Sequence, residues 1–324
     1  MAATVPSSVI HSLIEPNVGA LILSLTTTSI FFGITILQTY HYYDRYWSDP
    51  LYMKLYVLLL ALLDTAQQVT VMYTTWFWAV RNYGDPSSLT DVPVTGTLEI
   101  GLTISVGVLV HGFFATRAYI MSGRNPILPS VIMVFSATHF AAGTYFCKIY
   151  TSSQDFLKAH HITWPSTVSL SCSMTADVVI TTSLCYYLYK GRSGLQRTDK
   201  LITVLMIYTI NTGLTTLITA MLTMILVQAP IVSATLWSTI PYYLISKCYV
   251  NSMLATLNAR EKLRSMPAGT DSISGQLELG ARNDRSTTVV LRRTNDVISE
   301  IAFSSGSEAT TEKKALESMF VPEI

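Results

Sequence analysis

Long apolar stretches alternate with short polar breaks over most of this 324-residue chain, and the stretches share a common length. An α-helix needs about 20 predominantly apolar residues to cross roughly 30 Å of hydrocarbon. Segments of that kind run over 17–40, 51–75, 97–121, 127–149, 165–189, 201–227 and 231–257. Turn-forming residues separate them: Asp44, Arg45, Asp49 and Pro50 after the first, Pro86 and Pro93 after the second, Ser122-Gly123-Arg124-Asn125-Pro126 after the third. Between Lys200 and Lys247 lie 46 residues without a formal charge, too many for one span, and Gln228-Ala229-Pro230 divides them. The pattern predicts an all-α fold, a polytopic membrane protein with a seven-transmembrane-helix bundle over 17–258.

Composition supports the same picture and adds a tail. Half of the residues are hydrophobic and 13% are charged, about half the charged share of an ordinary soluble chain. Residues 1–258 hold 12 Lys/Arg and 10 Asp/Glu, whereas the last 66 residues hold 9 and 10 together with 15 Ser/Thr. A segment so polar and so balanced in charge cannot supply a packed core, so 259–324 is expected to be a mostly disordered tail. A short helix from about Asn258 to Ser265 is the exception, where Arg260, Lys262 and Arg264 can meet anionic lipid. Residues 1–16 hold no Lys or Arg, so no positively charged leader precedes the first span, which is expected to stay in place as a signal anchor. The net charge of +1 is neutral on the matter, but no basic patch interleaved by aromatics is present, so no nucleic acid partner is expected.

Charge asymmetry sets the expected orientation. Four Lys/Arg fall within the eleven-residue hinge between the fifth and sixth spans: Lys190, Arg192, Arg197 and Lys200. Arg45, Arg117, Arg124, these four, Arg260, Lys262 and Arg264 share one side of the predicted bundle, and Arg81, Lys148 and Lys158 share the other. Positive charge marks the cytoplasmic side. The N-terminus (1–16) is therefore predicted outside and the tail in the cytoplasm, with the host membrane left open.

Several local runs resemble one family. Gln38-Thr39-Tyr40, Phe113-Phe114-Ala115 with Arg117 and Tyr119, Ala176-Asp177-Val178 and Thr198-Asp199-Lys200-Leu201 occur in order. Tyr208-Thr209-Ile210-Asn211-Thr212-Gly213 and Asn251-Ser252-Met253-Leu254-Ala255-Thr256-Leu257-Asn258-Ala259-Arg260 follow. Together they resemble a large group of basidiomycete fungal membrane proteins defined by a domain of unknown function, over about residues 17–261. The resemblance implies a seven-helix integral membrane protein without an established activity, and it brings no catalytic residue.

Candidate chemistry lies near mid-depth. Counted along each span, Asp64, His111, His139, Asp177, Asn211 and Lys247 fall within about two turns of a helix centre. Ionisable groups there cost about 2.5–3.5 kcal/mol on insertion scales, so they face the bundle interior or water. They form either a ligand cavity or ion path, or a set of interhelical hydrogen bonds. Ser166, Ser169, Ser173, Asp177 and Thr181 form a polar stripe on the fifth span, and Asn211, Thr215, Thr219 and Thr223 form another on the sixth. Such small hydroxyl residues also let helices pack closely. Lys247 pairs across the bundle with an acid at matching depth, Asp64 before Asp177.

Enzyme readings find little purchase. No histidines stand in the i, i+4 arrangement of a zinc-binding helix, and no Cys-x-x-Cys, Gly-rich phosphate loop or nucleophile elbow is visible. Asp155, His160 and His161 in the fourth connection read as solvated loop residues, and no metal or cofactor is predicted. Lys247 resembles a retinal-binding lysine in position, but the third span has no acid between Glu99 and its end to act as counter-ion. Thr116-Arg117-Ala118-Tyr119 shares only its Arg with the acidic-Arg-Tyr run of rhodopsin-type receptors. Cys147, Cys172, Cys185 and Cys248 read as small buried residues, and Cys147 and Cys172 are the two that a disulfide could join. The expectation is a non-enzymatic, receptor-like or sensor-like membrane protein with a small-molecule ligand at mid-depth. Its cytoplasmic partner would engage the hinge and tail. A small-solute or proton transporter and a non-catalytic scaffold are the alternatives.

Overall fold

A computed structural model describes residues 14–82, 94–152, 164–191, 196–229 and 235–264, all in the first of two units of the chain, 1–268 and 269–324. Among the described residues there is no strand, and seven long helices carry the fold: α1 (Glu15–Arg45), α2 (Leu51–Trp76), α3 (Val94–Met121), α4 (Ile127–Ser152), α5 (Trp164–Lys190), α6 (Gln196–Gln228) and α7 (Thr239–Arg264). A π-helical segment, Phe77–Arg81, extends α2, and a 3₁₀ turn, Leu236–Ser238, leads into α7. Six helices are long and apolar enough to cross a membrane: α1, α2 with its extension, α3, α4, α5 and the Thr209–Gln228 part of α6. They mark a multi-pass membrane protein. The seventh helix does not join them on apolarity, because Ser246, Lys247, Asn251 and the run Arg260-Glu261-Lys262 interrupt it.

Neighbouring helices pack in chain order around a ring, which α7 closes against α1. α3 also touches α5 and α7, and α7 also touches α2, so these two occupy the middle. Cross-helix hydrogen bonds give the directions. Asn17 reaches Leu236, Asn251 reaches Phe31 and Asn258 reaches Gln38, so α1 and α7 run parallel. Gln67 meets Glu99 while Tyr56 meets Leu109, so α2 and α3 run opposite ways. One end of the bundle thus gathers the starts of α1, α3, α5 and α7.

The outer surface of the bundle is apolar, and its interior mixes apolar and polar residues. On α1 the residues turned inward include Asn17, Ser24, Thr28 and Thr35, whereas Ile30, Ile36 and Leu37 are exposed on its outer face. Apolar surface that would be hidden in water is at home against lipid tails, and between helices small residues and hydrogen bonds add to the apolar contacts of the core. Glycine permits the tightest crossing. A Cβ at Gly213 of α6 would overlap the Thr181 side chain of α5, so the two helices cross closely there.

Helix ends follow local sequence. Gly123 and Arg124 adopt left-handed conformations (φ 74° and 68°), and the Arg124 amide returns to the Tyr119 carbonyl at 3.0 Å, closing α3 as glycine-terminated helices do. Asn125 Oδ1 then accepts the Ile127 amide at 3.0 Å and opens α4. Several boundaries differ from the pattern-based expectation: α1 takes in Asp44 and Arg45, expected in the connection, and α6 starts at Gln196, inside the basic hinge. The last helix begins at Thr239 instead of residue 231, which seats Pro241 in its first turn, where the missing N–H is not needed. It also continues through Arg264, so the juxtamembrane helix expected at 258–265 is the end of α7 itself. The four cysteines are free thiols, including Cys147 and Cys172. Residues 1–13 and the tail from 265, expected to be disordered, lie outside the described residues.

Candidate functional site

Two polar clusters and a cavity occupy the middle of the bundle. The first cluster joins α2, α3 and α7. Lys247 Nζ donates to Asp64 Oδ1 at 2.8 Å and to the Asp64 carbonyl at 2.9 Å, with both side chains fully enclosed. The Phe32 ring lies 4.9 Å from the ammonium and covers it from α1. One turn along α2 from Asp64, Gln67 donates to Glu99 Oε1 at 3.0 Å and accepts from Ser246 Oγ at 2.5 Å. Thr103 Oγ1 also donates to Glu99 Oε1, at 2.9 Å, so Glu99 is held by its own helix and by α2.

The second cluster joins α3, α4, α5 and α7 through Tyr249. Its hydroxyl donates to Asp177 Oδ2 at 2.7 Å. Ser173 Oγ is 2.8 Å away and, with the phenolic proton committed to Asp177, donates to the phenol oxygen. His111 Nε2 lies 3.3 Å from Asp177 Oδ1, and Nδ1 faces Ser136 Oγ at 3.3 Å. His139 packs beside it, with ring centroids 6.2 Å apart, and its Nδ1 is held by the Ser169 carbonyl at 2.9 Å. Gly107 makes room for that ring: a Cβ there would meet His139 Nε2 at 3.3 Å.

Between the clusters and the end where α3, α5 and α7 begin lies a cavity of about 150 Å³. Every helix except α1 contributes to its wall, and the π segment of α2 contributes Trp78, which is turned inward and buried. Trp78, Phe146, Tyr150, Tyr242, Tyr243 and Tyr249 give the lining an aromatic share among aliphatic and hydroxyl residues. Glu99 brings the first cluster to the wall, and His139, Ser173 and Tyr249 bring the second. Glu99 is 1% exposed, and its Oε2 has no hydrogen-bond partner among the described residues. A cavity of mixed aromatic and polar lining is the usual form of a small-molecule site.

Of the residues expected at mid-depth, Asp64 and Lys247 meet in one cluster, and His111, Asp177 and His139 meet in the other. Asn211 joins neither, because it is exposed on the outer face of α6. Of the basic hinge, Lys190 is exposed at the end of α5, Arg197 and Lys200 lie in the first turns of α6, and Arg192 lies outside the described residues, as do Asp155, His160 and His161. Pattern reading passed over Gln67, Glu99, Ser246 and Tyr249. Helical spacing carried a signal for two of them, since Gln67 follows Asp64 by three residues and Tyr249 follows Ser246 by three.

A further cluster closes the opposite end of the bundle. Arg260 donates to Asp49 Oδ2 at 2.6 Å and stacks over Tyr46 at 4.8 Å, and Tyr42 donates to the same carboxylate oxygen at 3.1 Å. The end of α7 is thereby fastened to the connection between α1 and α2.

Residues 173–262 match a family of unknown function (DUF6534). The matched segment holds most of α5 and all of α6, and it carries Asp177, Lys247, Tyr249 and Arg260. No curated protein and no solved structure matches the chain.

Proposed function

We propose that this chain is a seven-span membrane sensor: a receptor-like, non-catalytic protein that binds a small molecule in the cavity and reports it on the cytoplasmic side. The observation that carries the reading is the cavity wall, to which six of the seven helices contribute. A ligand in contact with several helices can favour one packing of the bundle over another, and a change in packing is what a sensor transmits. α7 supports the transmission, because it touches the cavity through Tyr242, Tyr243 and Tyr249 and ends in the Arg260–Asp49 clasp. α7 counts as the seventh span in this reading because it shares the depth of α1, from Asn17 at one end to Gln38 near the other. Arg45, Arg124, Lys190 and Arg260 gather at the clasp end, which supports a cytoplasmic face there and an outer N-terminus. The hinge and tail are then available to a cytoplasmic partner.

A small-solute or proton transporter is the second reading, favoured by the hydrogen-bonded chain His111–Asp177–Tyr249–Ser173 beside the cavity. Reconstitution of the full chain in liposomes separates the two. A sensor gives no proton or solute flux, while hydrogen exchange at residues 117–124 and 258–264 changes when an added small molecule raises the unfolding temperature. Flux that depends on Asp177 would replace the sensor by a transporter. Absence of any stabilising small molecule would leave a scaffold.

A further inference from the structure

The sensor reading leaves open what the cavity takes, and Glu99 narrows the choice. Its two hydrogen-bond donors, Gln67 and Thr103, both act on Oε1. Oε2 is buried and has no hydrogen-bond partner among the described residues, in a side chain that lines the cavity. A buried polar group without a partner is costly, and native structures rarely keep one without a use. Among the described residues the missing cation is not supplied. Lys247, the one buried lysine among the described residues, spends its ammonium on Asp64 Oδ1 and the Asp64 carbonyl, and no ion pair to Glu99 is formed among the described residues.

The other walls fit the same guest. Trp78, Tyr150, Tyr242 and Tyr243 line the cavity, and aromatic rings attract a cation as well as an apolar body. An anion would meet the Glu99 carboxylate head on. A void of about 150 Å³ has the volume at which an apolar protein cavity holds a benzene-sized body.

Resting on the sensor reading, we infer that the cavity is the binding site of a compact organic cation, a protonated amine on a body about the size of one ring, with its N–H directed to Glu99 Oε2. The amine completes the hydrogen bonding of the carboxylate and brings it a direct ionic partner. Glu99 then acts as the residue that selects charge, and the aromatic wall as the part that selects size.

Three probes of one shape test this on the purified full chain in lipid nanodiscs: benzylamine, benzyl alcohol and benzoate, read by ligand-dependent shift of the unfolding temperature. Comparison with Thr223→Phe cancels partition of the probes into lipid, because Thr223 lines the cavity and its hydroxyl bonds only within its own helix, to the Thr219 carbonyl. The expected order is benzylamine first, benzyl alcohol weaker by roughly tenfold or more in half-saturating concentration, the margin of a charge-assisted hydrogen bond, and benzoate inactive. Thr223→Phe abolishes all responses, and Glu99→Gln brings benzylamine down to the level of the alcohol. Equal action of benzylamine and benzyl alcohol on the wild type, lost in Thr223→Phe, overturns the cation assignment and leaves the ligand cavity standing. Responses unchanged by Thr223→Phe, or no response to any probe, overturn the assignment together with the cavity reading. Should Glu99→Gln fail to fold, the order of the three probes on the wild type decides.

Discussion

α1 and α7 lie side by side and run the same way, yet they are built on opposite plans. α1 is rich in Ile, Leu and Phe and turns most of them outward, keeping Asn17, Ser24, Thr28 and Thr35 for its partner. α7 is the less apolar helix and the more buried one: from Ile245 to Val250 every residue is buried, including Ser246, Lys247 and Tyr249. α7 therefore keeps polar and charged groups inside, among the apolar residues of the core, while α1 turns apolar residues toward lipid. The difference teaches that the helix that looks least like a span carries buried polar groups that tie the interior together.

The comparison can be broken or sharpened by substitution, and the largest effect is expected at the charged pair. Lys247→Met and Asp64→Asn should each lower stability in detergent by about 3–5 kcal/mol, and the double substitution should recover much of the loss, because a single change leaves a buried charge alone. Thermal unfolding of the purified chain reads the cycle, and additive losses would mean that the pair is not coupled. Next comes the α5–α6 crossing. Gly213→Ala should cost about 1–3 kcal/mol by overpacking against Thr181, with relief when combined with Thr181→Ala. No loss in the single variant would show that the two backbones do not approach so closely.

Tyr249→Phe removes the hydroxyl that joins Asp177 to Ser173. It should cost about 1–3 kcal/mol, the penalty for stranding a buried polar group, and less in an Asp177→Asn background. The smallest effect belongs to the outward face of α1. Leu37, 67% exposed, should tolerate Ala with a change under about 0.5 kcal/mol, as surface positions do. A loss at Leu37 as large as the one at Tyr249 would end the contrast between the two helices.

Much of this plan is legible in the linear pattern, and the failures have a common cause. Span positions for α1 to α6 follow from run length, and Asp64, Lys247, His111, His139 and Asp177 stand out as ionisable groups in apolar surroundings. The sequence pattern does not say how each helix is rotated against its neighbours. The stripe Asn211, Thr215, Thr219, Thr223 steps by four each time, and each such step drifts about 40° around the helix. Its first half consequently points outward, and the inward face of α6 runs instead through Thr209, Gly213, Thr216, Ala220 and Thr223. On α5 a step of three, from Ser166 to Ser169, offsets the drift, and Ser169, Ser173 and Asp177 all face inward. Glu99 escaped notice for a different reason. It lies near the start of α3, where an acid reads as a boundary residue, and only the arrival of Gln67 from α2 makes it part of the interior.

The buried lysine of α7 has a consequence for how the chain is made. On the seven-span reading, α7 leaves the ribosome after the other six helices and is the one least able to enter lipid unaided, since its ammonium has no counter-charge on its own helix within reach. Asp64 of α2 is the group that neutralises it, and α2 has been waiting since early in synthesis. The order of the helices along the chain thus makes the completed six a template that admits the seventh, and an Asp64 variant should betray itself first in the cell, as protein cleared before it is ever folded.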